Sequence, residues 1–132
     1  MVEFHGINYD LGNIDGCSNN VRVEATEDEV GGICGINKSN ISSSNNRGYI
    51  ISEWENSAKV GGICGENSTD SFIYNSYNLG NVKSVLNAGG IYGANFGTVD
   101  GSMYTKEIVE SQNISDLDFA KVQDEINIQF GL

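Results

Sequence analysis

The chain has no proline, a single histidine (His5), a single tryptophan (Trp54), and seven basic residues against eighteen acidic ones. Each shortage excludes something. One histidine leaves no choice of partners for a Ser/His/Asp or Cys/His catalytic set. A formal charge of −11 and a pI near 4.2 oppose binding through bulk charge to nucleic acid or anionic lipid, which are themselves negative. No apolar run approaches the length that crosses a bilayer, so membrane insertion is not expected. HExxH, a P-loop and a GxGxxG between strand and helix are all missing. Asn or Ser stands where a calcium-binding nonapeptide needs Asp, and Gly12-Asn-Ile-Asp-Gly16 lacks the ligand spacing of a calcium loop. No cofactor, metal or catalytic residue is therefore expected. The amino terminus, beginning at Met1, has neither a basic region nor an apolar core, so no export signal is visible. The repeat described next opens in mid-motif at Met1, as in a piece cut from a longer protein.

What is abundant is glycine, 17 residues of 132, beside many asparagines and serines, a mix suited to short strands joined by turns. These residues recur. Gly-x-Asn returns at Gly6–Asn8, Gly35–Asn37, Gly65–Asn67 and Gly93–Asn95, with steps of 29, 30 and 28 residues between the asparagines. Around it stand Val30-Gly-Gly-Ile-Cys-Gly-Ile-Asn37, Val60-Gly-Gly-Ile-Cys-Gly-Glu-Asn67 and Ala88-Gly-Gly-Ile-Tyr-Gly-Ala-Asn95. A period of this length marks a stacked-repeat architecture.

Alignment on Gly-x-Asn brings out further columns. Ile14, Ile41, Ile73 and Val99 coincide, then Cys17, Ser44, Ser76 and Ser102, then a β-branched stretch at Val21–Val23, Tyr49–Ile51 and Val82. Each repeat reads as three short strands with Asn, Gly and Ser at the corners. One such unit cannot bury its apolar face, but stacking sets Ile33 over Ile63 over Ile91, with Phe4 at the first end. The asparagine column (Asn8, Asn37, Asn67, Asn95) supplies an amide ladder and tolerates a left-handed corner, and the paired glycines permit a sharp bend. The expected fold is all-β: a right-handed parallel β-helix of about four coils in one domain, with coils at about 1–29, 30–59, 60–87 and 88–104. The period stops after Tyr104, and residues 105–132 form a cap. Phe119, Val122 and Ile126 fall at helical spacing, with Ser115 as N-cap and Asp118 in the first turn, so a capping helix is predicted over about 116–127.

Cys34 and Cys64 share a column, about 4.8 Å apart in stacked strands, which a disulfide tolerates. Two partly buried thiols acting as small hydrophobes is the favoured reading.

The block from Gly61 to Asn67, followed by Ile73-Tyr-Asn-Ser-Tyr-Asn-Leu-Gly-Asn-Val82, resembles the GLUG motif of bacterial surface proteins. The copies at 89–104, 31–46 and 6–18 keep parts of it, so the resemblance covers about residues 4 to 104. It implies a repeat of large secreted or wall-attached bacterial proteins, including adhesin-like proteins and non-catalytic regions of immunoglobulin A-cleaving metallopeptidases. It carries no catalytic residue over.

For function, insertions between coils are where solenoids place binding surfaces. The first holds Glu24, Glu27, Asp28 and Glu29; the second holds Glu53, Trp54 and Glu55. Trp54, Glu53, Glu55, Glu27 and Asp28 are the candidate contact residues, since an aromatic flanked by polar groups suits a sugar or a protein hot spot. The expectation is a non-enzymatic structural or adhesive module, secreted or at the cell surface, that binds a host protein or glycan. The open first coil also offers an edge for edge-to-edge dimerisation. The alternative is a glycan-processing β-helix. That chemistry wants two carboxylates about 5–9 Å apart, and the candidates, Asp15 with Asp100 or Glu53 with Glu55, are poorly placed for it.

Overall fold

The computed structural model describes residues 7–8, 12–25, 29–53 and 59–132. They form a parallel β-solenoid. Each coil contributes short strands to five sheets, called faces 1 to 5 in chain order. Face 1 stacks Ile7–Asn8, Cys34–Asn37, Cys64–Asn67 and Tyr92–Asn95; face 2 stacks Asn13–Asp15, Asn40–Ser42, Phe72–Tyr74 and Thr98–Asp100. Face 3 holds Ser18–Asn19, Asn45–Asn46, Tyr77–Asn78, Met103–Thr105 and Ala120–Lys121. Face 4 holds Val23–Ala25, Ile50–Ser52, Val82–Lys83 and Val109–Glu110; face 5 holds Glu29–Gly31, Lys59–Gly61, Asn87–Gly89 and Asn113–Ile114. The parallel pairing sets like on like, as in Asn37 beside Asn67 and Ile41 beside Ile73. The sequence counts four coils because it counts four Gly-x-Asn copies; about three turns connect them.

Five faces, not three strands, come from two corners that the sequence pattern runs together. At the first corner, between faces 2 and 3, Gly16, Ser43, Asn75 and Gly101 all adopt positive φ, from 49° to 67°. This column makes the left-handed turn, whereas the Gly-x-Asn asparagines lie in strands. Ser43 bears a Cβ where its first and last counterparts are glycine, in a conformation that costs an L-residue about 1–2 kcal/mol. Ser43→Gly is expected to raise the thermal midpoint, by up to about 1 kcal/mol of stability once glycine's entropy cost is set against the relief. A lowered midpoint would show that the serine is unstrained.

The second corner is Gly-Gly, between faces 5 and 1. These glycines are required by closeness: a Cβ on Gly61 would sit 2.1 Å from the Cys64 carbonyl oxygen, and one on Gly62 would sit 2.2 Å from that of Gly90. The third glycine of the motif lets face 1 pack across face 5, since a Cβ on Gly93 would lie 2.4 Å from the Val60 nitrogen.

Two apolar stripes fill the interior. Val23, Ile50 and Val82 stack beside Val30, Val60 and Ala88; Ile41 and Ile73 stack beside Ile63 and Ile91. Each of these side chains is fully buried, which contributes about 1.5–3 kcal/mol for a valine or isoleucine. Ile33, at the first end of its column, is only half-buried. Phe4, expected above it, lies outside the described residues.

Three polar columns run through the stack. Asn8 Nδ2 donates to Asn37 Oδ1, Asn37 to Asn67 and Asn67 to Asn95, each at 2.9 Å. Asn19 donates to Asn46 and Asn46 to Asn78, each at 2.8 Å, a second amide ladder. In the third column the backbone N–H of Cys17, Ser44 and Ser76 donates to the hydroxyl of the serine one rung on, at 3.1–3.2 Å. Each of these serines in turn donates to the carbonyl two residues before it, as Ser76 does to Tyr74 at 3.0 Å. Buried polar groups are thereby satisfied within their own columns, which removes the penalty of burying them.

The carboxy-terminal region differs from expectation in two ways. The coil does not stop at Tyr104: Val109 pairs beside Val82 and Ile114 beside Ala88, so the interior columns continue without the Gly-Gly signature. The helix is also later and shorter than 116–127. Residues Leu117–Phe119 form a 3-10 turn, Ala120–Lys121 a strand of face 3, and only Gln123–Phe130 is α-helical (α1).

Asp116 explains why. Along the Gly-Gly corner each rung accepts backbone hydrogen bonds from the rung before. Gly62 N–H donates to Gly89 O at 3.2 Å, while Ile63 and Cys64 N–H both donate to Ile91 O at 3.0 Å. Gly90, Ile91 and Tyr92 belong to the last rung and have no such partner. The Asp116 carboxylate stands in for it: Oδ1 accepts from Gly90 at 3.0 Å, and Oδ2 accepts from Ile91 at 2.7 Å and from Tyr92 at 3.0 Å. With that side chain committed, and Lys121 O accepting from Lys106 N–H, the segment cannot be helical. The proposed N-cap and first-turn roles of Ser115 and Asp118 therefore lapse. Of the expected apolar face, Ile126 is buried, Phe119 packs edge-on against Tyr92, and Val122 is exposed. Helix α1 lies against Met103–Thr105, with the Phe130 ring 4.7 Å from Tyr77.

Candidate functional site

Of the contact residues read from the insertions, Trp54, Glu55, Glu27 and Asp28 lie outside the described residues, as does His5. Glu53 follows the face 4 strand Ile50–Ser52 and is exposed. Of the remaining acids of the first insertion, Glu24 is 3.8 Å from Arg22 and Glu29 is 3.4 Å from Lys59. Lys59 also meets Glu66 at 2.7 Å, and Glu66 accepts from Ser68 Oγ at 2.9 Å. That lysine holds Glu66 below the usual carboxylate range. One cation between two acids bridges faces 1 and 5.

The carboxylates considered for sugar hydrolysis do not converge. Asp15 and Asp100 stand in one outward column of face 2, separated by Ser42 and Tyr74. Ser42 Oγ donates to Asp15 at 2.9 Å. Among the described residues no group of three His, Cys, Asp or Glu side chains could hold a metal ion.

The cysteines are thiols. Cys34 and Cys64 pair in register inside face 1, both buried, and Cys17 is exposed. Burial pushes the Cys34 thiol up to about 11 and the Cys64 thiol well above its ordinary value. Thiolate, not thiol, is the reactive form. In the folded chain a thiol reagent at neutral pH is expected to modify one cysteine, Cys17, and in denaturant all three. Rapid native labelling of Cys34 or Cys64 would contradict their place in the core.

Face 2 holds an outward surface that sequence reasoning passed over. Ile41, Ile73 and Val99 point inward, so the residues on either side point out: Asn40 and Ser42, Phe72 and Tyr74, Thr98 and Asp100. The Phe72 and Tyr74 rings stack with centroids 5.5 Å apart. Among the described residues Asn40, Thr98 and Asp100 make no side-chain hydrogen bond, in contrast to the saturated ladders beneath them. The alternation about each inward isoleucine was the signal available. Among the described residues a recess of about 470 Å3 opens at the carboxy-terminal end beside Val109 and Ile114, and another of about 250 Å3 beside Ile14 and Ile33.

No family model, no curated protein and no solved structure matches this chain.

Proposed function

We propose that the chain is a non-enzymatic structural and adhesive repeat module of a secreted or cell-surface bacterial protein. It would bind protein or glycan through its insertion loops and the outward side of face 2. The observation that carries this reading is the division of labour within each coil. The repeated polar residues are spent on the three internal columns, while the positions that change from coil to coil point outward. Asn40, Phe72 and Thr98 share one outward column, and Ser42, Tyr74 and Asp100 the next. A scaffold that is constant inside and variable outside suits display. The resemblance of residues 61–82 to the GLUG motif supports the surface location.

The test is retention on arrays of glycans and host proteins. Binding by the parent chain that weakens at least about tenfold on Trp54→Ala or on Phe72→Ala with Tyr74→Ala is the expected result. Release of reducing ends from a polysaccharide, lost on removing Glu53 or Asp100, would replace this reading with an enzyme.

A further inference from the structure

The outward side of face 2 belongs to the flank of the solenoid, not to either end of the stack. Each of its two aromatic side chains stands between two polar ones. Phe72 has Asn40 on one side and Thr98 on the other; Tyr74 has Ser42 and Asp100. The two rings are inclined by only 18°, with centroids 5.5 Å apart, so each steadies the other. An aromatic pair held in this way offers a firm apolar surface with little entropy left to lose on binding. The polar groups around it are uncommitted. Among the described residues the side chains of Asn40, Thr98 and Asp100 and the Tyr74 hydroxyl make no hydrogen bond. Ser42 alone is engaged, donating to Asp15 at 2.9 Å.

What this face has and what it lacks narrow the ligand. Its strands carry no lysine or arginine, and the chain's charge of −11 repels anions, which opposes nucleic acid, uronate chains and sulfated glycans. No isoleucine, leucine, valine or methionine points outward from it, so a lipid surface or a wide apolar protein face finds too little to cover. A basic peptide would use Asp100 and the rings but leave Asn40 and Thr98 idle. A sugar ring uses all of them. Its C–H face packs on an aromatic ring, and its rim of hydroxyls both donates and accepts, as do the Asn40 amide and the Thr98 hydroxyl. The rungs on either side stand about 4.8 Å from the aromatic one, within reach of that rim. Asp100 adds a charged acceptor, which makes the stronger bond to a hydroxyl.

We propose that the outward side of face 2 binds a neutral glycan, with one sugar ring packed on Phe72 and Tyr74 and its hydroxyls bonded to Asn40, Thr98 and Asp100. This rests on the adhesive reading and narrows it twice: the ligand is a sugar without charge, and the site is this face rather than the insertion loops.

Isothermal titration calorimetry on the full chain tests this. The probes are neutral hexasaccharides of glucose, mannose, galactose and N-acetylglucosamine, beside a galacturonate hexamer and a lysine-rich peptide. At least one neutral hexasaccharide should bind, with an affinity unchanged by salt because no ion pair is there to be screened. Phe72→Ala with Tyr74→Ala should weaken that binding at least about tenfold. Thr98→Val and Asp100→Asn, at exposed side chains that hold nothing in the fold, should each weaken it about fivefold, with circular dichroism confirming every variant. Three results would overturn the proposal: no binding of any neutral hexasaccharide, binding that survives the aromatic double variant or both polar ones, or preference for a charged probe. If every hexasaccharide fails while a protein on the array is retained, the sugar assignment falls and the adhesive reading stands. If the array retains nothing, both fall.

Discussion

Asn67→Asp is expected to destabilise the chain by roughly 4 kcal/mol at neutral pH, the magnitude of a buried charge deprived of its partner. Asn67 is fully buried and sits in the middle of the first ladder. Its Oδ1 accepts from Asn37, and a carboxylate could still do that. Its Nδ2 donates to Asn95 Oδ1 at 2.9 Å, with Ser71 O and Thr98 O also within 3.4 Å. Exchanging that nitrogen for an anionic oxygen points negative charge at three acceptors. The loss should shrink in acid, where the new carboxyl can protonate and donate. Asn95→Ala, at the exposed end of the same file, removes one terminal acceptor and should cost about 1 kcal/mol. Urea midpoints at unchanged slope read the two effects. Equal small losses would mean that the asparagines do not act as a ladder.

The second large effect belongs to Asp116. Asp116→Ala takes three acceptor bonds from Gly90, Ile91 and Tyr92 and should cost at least about 3 kcal/mol, since each orphaned N–H forfeits about 1–3 kcal/mol where water cannot reach it. The pH dependence is more diagnostic. Burial pushes the Asp116 carboxyl up from its ordinary 3.8 to about 6, against the three N–H bonds that favour its charged form. Between those values the folded chain binds more protons than the unfolded one, so stability falls as pH rises. The contribution is whole below 3.8, gone once pH has passed 6, and worth about 3 kcal/mol. Relief of the −11 charge in acid gives a slope of the same sign, but it is common to all variants. The readout is therefore the difference from Asp116→Asn, which cannot titrate. The parent should lose more stability between pH 4 and 6 than the Asn variant does. The opposite difference would mean that the N–H bonds outweigh burial.

The parts of this fold legible in the sequence are those whose side chains repeat with their spacing. The first asparagine file steps by 29, 30 and 28 residues inside a recurring motif, and both its register and its hydrogen bonds follow from that. The second file, Asn19, Asn46 and Asn78, stands two residues beyond the aligned Cys17, Ser44 and Ser76, but its steps of 27 and 32 and its lack of a fourth asparagine at Tyr104 set it apart from the motif. The left-handed corner escaped notice because Gly16, Ser43, Asn75 and Gly101 share a backbone conformation rather than a side chain. Asp116 stands at the start of the helix expected over about 116–127, with Ser115 and Asp118 read as its N-cap and first-turn acid, and only the missing rung beyond Gly90 gives it another use. Of the candidate contact surface, the alternation around Ile73 would have exposed Phe72 and Tyr74, had the outward positions been followed as closely as the inward ones.

Nuclear Overhauser contacts among the asparagine side-chain amides test the stacking itself. The amide protons of Asn8, Asn37 and Asn67 should each show contacts to the next asparagine in the file, ending at Asn95, and Asn37 and Asn67 should exchange slowly with water. Amides that exchange freely, or that contact residues elsewhere in the coil, would contradict the stack.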